Sequence, residues 1–241
     1  MPIGMTLNYR LRLTDFDRFG HLHPAAVLDI LQDLATVQAE DMGIGYNAMH
    51  DKGVFWAIVR MKYVVHQEPK HHSVVSVRTW PHSPSRFSFH RDWTMHDQDG
   101  NLLLSAASEW VVMDAKERSF VSVADIYEGS NDFSEDRAIK GRIRKLKPLP
   151  AHASCARTIT PGRTDVDVNA HVNNARYATY AIDALDEAAG RPIVAFQADF
   201  RHEVRKDETV RIFTHQDETG ACIEVRKDTD DIACSIKVDY A

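Results

Sequence analysis

The chain carries its own near-copy. Thr14-Asp15-Phe16-Asp17-Arg18-Phe19-Gly20-His21 returns as Thr164-Asp165-Val166-Asp167-Val168-Asn169-Ala170-His171 at a constant offset of 150, with Thr, both Asp residues and His identical. Ala25 meets Ala175 further on. Such a repeat means one structural unit built twice, so the fold must present two similar halves. With 241 residues in all, each half is long enough to bury a core of its own.

Each copy runs on into a helical pattern. In the first, Val27, Ile30, Leu31, Leu34 and Val37 recur at three- and four-residue spacing, with Pro24 suited to the first turn and Gly43 to the stop. In the second, Tyr177, Tyr180, Ala181, Ala184, Leu185 and Ala188 do the same up to Gly190, and Asn173 or Asn174 suits the N-cap. Both halves therefore read as short strand, polar turn, long helix. Strands rich in β-branched and aromatic residues follow: 54–66, 74–80, 86–96 and 102–113 in the first half, 193–204, 209–215, 221–226 and 232–240 in the second. Asp99-Gly100-Asn101 and Glu218-Thr219-Gly220 supply hairpin turns. Glu68 meets Glu203, Val75 meets Val210 and Thr79 meets Thr214 at an offset of 135, so the first copy holds an insertion of about fifteen residues after its helix. One long helix and an antiparallel sheet that wraps it, given twice, is an α+β arrangement that mimics a two-fold dimer in one polypeptide. The expected division is an N-terminal domain over 1–125, a linker over 126–150 and a C-terminal domain over 151–241.

Composition narrows the function. A net charge of −6 argues against bulk nucleic-acid binding. No apolar run approaches the ~20 residues that cross a bilayer, and Met1 to Arg12 lacks a secretory or organellar pattern. Cys155, Cys222 and Cys234 are sparse and odd in number, which points to a reducing, cytoplasmic setting. The linker holds one local exception in charge: Arg137, Lys140, Arg142, Arg144, Lys145 and Lys147 fall within eleven residues that contain no acid. Such a run is either a solvated surface segment or a landing strip for an acidic partner.

The string Asp167-Val168-Asn169-Ala170-His171-Val172-Asn173-Asn174, followed by Arg176-Tyr177, resembles the motif of the acyl-ACP thioesterases. The first half is similar to their opening Asp-x-Asp-x-x-Gly-His pattern, and Phe200 to Asp207 to a second conserved stretch. The resemblance implies two fused hotdog domains, a role in fatty acid synthesis, acyl carrier protein as the partner that presents the acyl group, and Asp167, Asn169, His171 and Glu203 as the catalytic set. It also implies an N-terminal domain concerned with chain length. One departure matters: plant members carry Cys directly after the glutamate, and this chain has Val204.

Residue chemistry supports the same set. Asp167, Asn169 and His171 alternate along what reads as an extended segment, so their side chains are expected on one face. The segment opens a helix, where backbone N–H groups near Val172, Asn173 and Asn174 suit binding of a thioester carbonyl and its oxyanion. Glu203 reads as a strand residue on the face opposite Val194, Phe196, Ala198 and Phe200, a carboxylate suited to deprotonating water. Asp167 either fixes the helix start or acts as a nucleophile through a mixed anhydride. A thiolate leaves readily, its conjugate thiol having a pKa of ~8.5, so a sparse site suffices.

The first copy keeps Asp17, His21 and Glu68 but has Phe19 in place of Asn169, and is read as catalytically lost. All four tryptophans and all seven methionines lie in that half. They form either a larger core or an acyl-chain slot, with Met49 and Ala57 as lining candidates. Thirteen histidines show no metal-ligand spacing, and no phosphate loop, nucleophile elbow or dinucleotide fingerprint occurs, so no metal and no cofactor are expected. Alternatives kept open are a coenzyme A thioesterase, a 3-hydroxyacyl-thioester dehydratase and a non-enzymatic acyl-binding module. A fused pair can stay monomeric or pair again as a homodimer.

Overall fold

The computed structural model of the protein describes residues 4–129, 133–150, 152–185 and 190–241. Contacts divide the chain into two compact units: Met1–Leu13 with Asp29–Ile143, and Thr14–Leu28 with Arg144–Ala241. No described helix is long and apolar enough to cross a membrane.

In the first unit, β1 (Met5–Arg10), β2 (Val54–Val65), β3 (Val74–Pro81), β4 (Phe89–His96) and β5 (Leu102–Asp114) form an antiparallel sheet in the order β1-β3-β4-β5-β2, with β6 (Phe120–Val121) on β5. The long helix α1 (Pro24–Asp41), which belongs to this unit from Asp29 on, buries Val27, Leu31 and Leu34 of the expected stripe and Leu28 beside it, while Ile30 is half-buried and Val37 exposed. Gly43, at φ +73, ends it by turning the chain so that Ile44 N–H reaches Ala39 O. A short helix α2 (Tyr46–Asp51) fills the insertion of the first copy, and α3 (Val123–Ile126) follows β6. Met49 on α2 packs with Ile44, Val54, Val112 and Val123 in a closed core cluster.

The second unit repeats the plan. β7 (Ser154–Ile159), β8 (Ile193–Phe200), β9 (Val210–Gln216), β10 (Gly220–Lys227) and β11 (Ile232–Tyr240) form an antiparallel sheet in the order β7-β9-β10-β11-β8. Helix α4 (Asn174–Ile182) buries Ala175, Tyr177, Ala178, Tyr180 and Ala181. Of the two candidate caps, Asn173 is the one used: its Oδ1 accepts from Ala175 N–H at 2.9 Å. The helix is shorter than its apolar pattern suggests. It closes at Ile182 with Ala184 and Leu185 in the turn beyond, and Ala188 lies outside the described residues. The α+β plan of one helix on one antiparallel sheet, given twice, is what the repeat requires.

The segment from Phe133 to Pro150 has neither helix nor strand, yet its backbone is anchored. In the second unit, Tyr177 of α4 stacks edge-on against Phe200, so the even residues of β8 face the helix. Alternation then places Gln197 and Asp199 on the outer face. Strand register aligns Asp199, Ser235 and Glu224 in one row across β8, β11 and β10. These acids are buried, because the chain runs over them. Gln197 Nε2 donates to Arg144 O (2.8 Å), Leu146 N–H to Asp199 Oδ2 (2.8 Å) and Leu149 N–H to Glu224 Oε1 (3.0 Å). The first unit has the same device: Ala138 N–H donates to buried Asp92 at 2.7 Å, and Trp80 Nε1 to Asp136 O at 2.8 Å. A chain without secondary structure must find acceptors for its covered N–H groups, and strand carboxylates supply them. The six basic side chains, Arg137, Lys140, Arg142, Arg144, Lys145 and Lys147, all remain exposed.

Candidate active site

The second copy of the repeat does not run extended. Asp167 N–H donates to His171 O (3.0 Å) and Ala170 N–H to Asp167 O (3.1 Å), closing a tight turn between Val166 and Val172, which pair as a bridge. Ala170 takes φ +62. The alternating face expected for Asp167, Asn169 and His171 is therefore absent. Asp chemistry is the reason: Asp167 Oδ1 accepts from Asn169 N–H at 2.8 Å, and a carboxylate that bonds the backbone two residues on favours a turn over a strand. The first copy does the same with Asp17 and the N–H of Phe19, at 2.8 Å. Asn169 and Val168 stand exposed at the turn's tip.

Two of the three expected backbone donors are spent. Val172 N–H bonds Val204 O at 2.8 Å and Asn173 N–H bonds Asp165 O at 2.9 Å, so neither points at a substrate. The helix entrance is tied into the fold before any carbonyl arrives, because the turn needs those bonds to hold its place. Asn174 lies in the first turn of α4, half-buried.

Glu203 is displaced from the strand expected to hold it. β8 ends at Phe200, and Arg201 N–H and His202 N–H both converge on Ala233 O, which breaks the ladder. Glu203 thus sits in the loop beyond, and this brings it to the turn: His171 Nε2 lies 2.8 Å from Glu203 Oε2. The His171 side chain is 12% exposed and that of Glu203 37%, so the carboxylate is the partner that solvent reaches more freely. Val204 is buried at 1%, its side chain turned inward, so a thiol in its place would point into the core.

Two further residues belong to this neighbourhood. Tyr177 has its hydroxyl held un-ionised, well above the usual phenol range, chiefly by burial; the Cys234 thiol and Glu203 add to this, and a bond from Val204 N–H opposes it. Lys227 Nζ donates to Glu203 O at 3.1 Å. Tyr177 looked like one more apolar helix residue, and nothing in the spacing of Lys227 linked it to a segment some two dozen residues earlier. In the first unit, Met49 packs against Val54, whereas alternation puts Ala57 on the other face of β2, so the two do not line one surface.

Family models of the acyl-ACP thioesterase N-terminal and C-terminal domains match residues 4–129 and 150–241. The chain is 27% identical over 184 residues to a palmitoyl-acyl carrier protein thioesterase of Gossypium hirsutum, covering 72% of this chain and 45% of that one. It is 26% identical over 209 residues to an oleoyl-acyl carrier protein thioesterase of Arabidopsis thaliana, covering 78% and 57%. The chain spans about half the length of the curated relatives it matches. Among solved structures, an acyl-ACP thioesterase from Bacteroides thetaiotaomicron superposes with a TM-score of 0.88 at 22% identity, over 99% of this chain and 98% of that one. The 12:0-ACP thioesterase of Umbellularia californica gives 0.90 at 20%, over 100% and 98%. The tandem hotdog fold is theirs and this chain's alike. Because both domain models match in order and together cover most of the sequence, the chain belongs to the acyl-ACP thioesterase family.

Proposed function

We propose that the protein hydrolyses fatty acyl thioesters carried on acyl carrier protein, releasing the free acid and the carrier thiol. The observation that carries this is the 2.8 Å approach of His171 Nε2 to Glu203 Oε2 beside the α4 entrance. Glu203, the more exposed partner, takes a proton from water, and His171 fixes the carboxylate's direction. The resulting hydroxide adds to the thioester carbonyl. Collapse of the tetrahedral intermediate breaks the C–S bond, and the thiolate regains the proton from Glu203 or bulk water. Asn169 offers its exposed amide to the carbonyl oxygen from the turn's tip. Asp167, whose Oδ1 already holds Asn169 N–H, shapes that turn, which favours direct attack by water over a mixed anhydride. The three free cysteines fit a reducing compartment such as the cytoplasm.

Anchored backbone with exposed cations gives Arg137 to Lys147 the form of a docking strip for an acidic carrier. Electrostatic attraction of this kind raises association and fades with salt, the Debye length being ~8 Å at physiological ionic strength. The test is thiol release from matched acyl-ACP and acyl-coenzyme A substrates at low and at high salt. The expected result is a higher kcat/KM on the carrier-bound substrate, with a preference that shrinks as salt rises and with charge-neutralising changes in the strip. Equal rates on both carriers at low salt would move the assignment to a coenzyme A thioesterase. Tight acyl binding without thiol release would make it a binding module.

A further inference from the structure

We propose that Lys227 is the positioning residue that holds Glu203 against His171, by bridging the Glu203 carbonyl and the Glu208 carboxylate. The inference rests on the reading of Glu203 as the base. Glu203 stands in a loop between β8 and β9, and a loop carboxylate reaches a fixed partner only if its own backbone is fixed. Lys227, the last residue of β10, supplies a rigid origin: its N–H bonds Asp231 O across the β10–β11 hairpin at 2.9 Å. Its ammonium then reaches sideways to Glu203 O at 3.1 Å and to Glu208 Oε2 at 3.1 Å. Glu208 in turn accepts Arg205 N–H at 2.9 Å, and this bond, together with Lys227, keeps its carboxyl below the usual range and charged. Asp207, held at φ +65, donates its N–H to Pro161 O at 3.1 Å.

The loop is thus fastened on both sides of Glu203. Val172 N–H grips the next residue, at Val204 O, from the catalytic turn, and Lys227 grips Glu203 itself from the sheet. The two grips differ in kind. A backbone bond at Val172 survives any side-chain change there except to proline, whereas the Lys227 bridge depends on one side chain that is mostly covered. Removing it leaves the Glu203 carbonyl and the Glu208 carboxylate without their shared cation, and the peptide that carries the base loses its tie to β10. Small misplacement of a reacting group costs up to about 10²-fold in rate without weakening substrate binding.

The test compares Lys227→Met, Lys227→Arg and Glu208→Gln in the full-length protein. Thiol release from an acyl-ACP is measured together with the NMR resonances of the His171 ring. The expected result for Lys227→Met is a fall in kcat of roughly ten- to a hundred-fold with KM within about two-fold, since misplacement acts on the chemical step. Lys227→Arg restores most of the rate, and Glu208→Gln, which keeps the fold's backbone bonds, falls between. The His171 resonances move in Lys227→Met in the same sense as in Glu203→Gln and stay in place in Lys227→Arg. Unchanged kcat in folded Lys227→Met overturns the assignment. So do unmoved His171 resonances, a readout that holds even if wild-type protein releases no thiol. That last finding would instead count against the hydrolase reading. Should Lys227→Met not fold, unaltered kcat and unaltered His171 signals in Glu208→Gln overturn it equally.

Discussion

Glu203→Gln is expected to lower kcat for thiol release by roughly 10²–10⁴-fold, the usual contribution of a positioned general base, while leaving KM nearly unchanged. The amide is close to the carboxylate in shape but cannot take a proton from water. The Glu203 carbonyl is held by Lys227, a bond that the substitution keeps, and its side chain is 37% exposed. Steady-state kinetics on one acyl-ACP, with circular dichroism to confirm folding, checks the prediction. A folded Glu203→Gln protein that retains more than about a tenth of wild-type kcat would remove Glu203 from the chemistry.

Asp92→Ala carries the largest expected loss of stability, about 1–3 kcal/mol, the cost of a covered N–H left without its acceptor. Asp92 is fully buried on β4. One oxygen accepts Ala138 N–H at 2.7 Å; the other lies 2.9 Å from His82 Nε2, an ion-pair distance without good hydrogen-bond alignment, and 3.7 Å from Arg137. His82 Nδ1 meets Ser134 O at 2.6 Å, so this one carboxylate and its histidine secure the chain from Ser134 to Ala138. Alanine strands the Ala138 N–H and removes the acid that faces His82 and Arg137. Urea unfolding followed by fluorescence should show a lower midpoint with a similar slope. A midpoint shift worth less than about 1 kcal/mol would mean that water or another acceptor takes over.

Much of this was legible in the residues, and the parts that were not have physical reasons. The repeated Asp-x-Asp turn, the apolar stripe of α1 and the β-branched runs of β2, β3, β5 and β11 declare themselves through local periodicity, which short-range sterics enforce. The sequence points to a meeting of Glu203 with His171, but not to the backbone that achieves it. Apolar alternation continues past Phe200 to Val204, so the strand looked longer than it is. What stops it is the convergence of two N–H groups on Ala233 O, a contact across strands. The turn at Asp167 is not legible in the sequence because alternation of polar residues looks the same in a strand and in an Asx turn. Covered acids were hidden for a similar reason. Asp92, Asp199 and Glu224 sit at outward-facing strand positions, where acids are usually solvated, and only the crossing of a chain without periodicity of its own buries them. The same crossing gives the basic run an anchored backbone, which composition alone does not reveal.

The most direct test is a double-mutant cycle on kcat with Glu203→Gln, His171→Ala and the pair, using a single acyl-ACP substrate. If the two side chains act as one unit at the thioester, the second change adds little to the first, and the double variant is about as slow as either single variant. Losses that multiply, as they do for independent sites, would mean that the 2.8 Å contact is incidental and that the chemistry lies elsewhere.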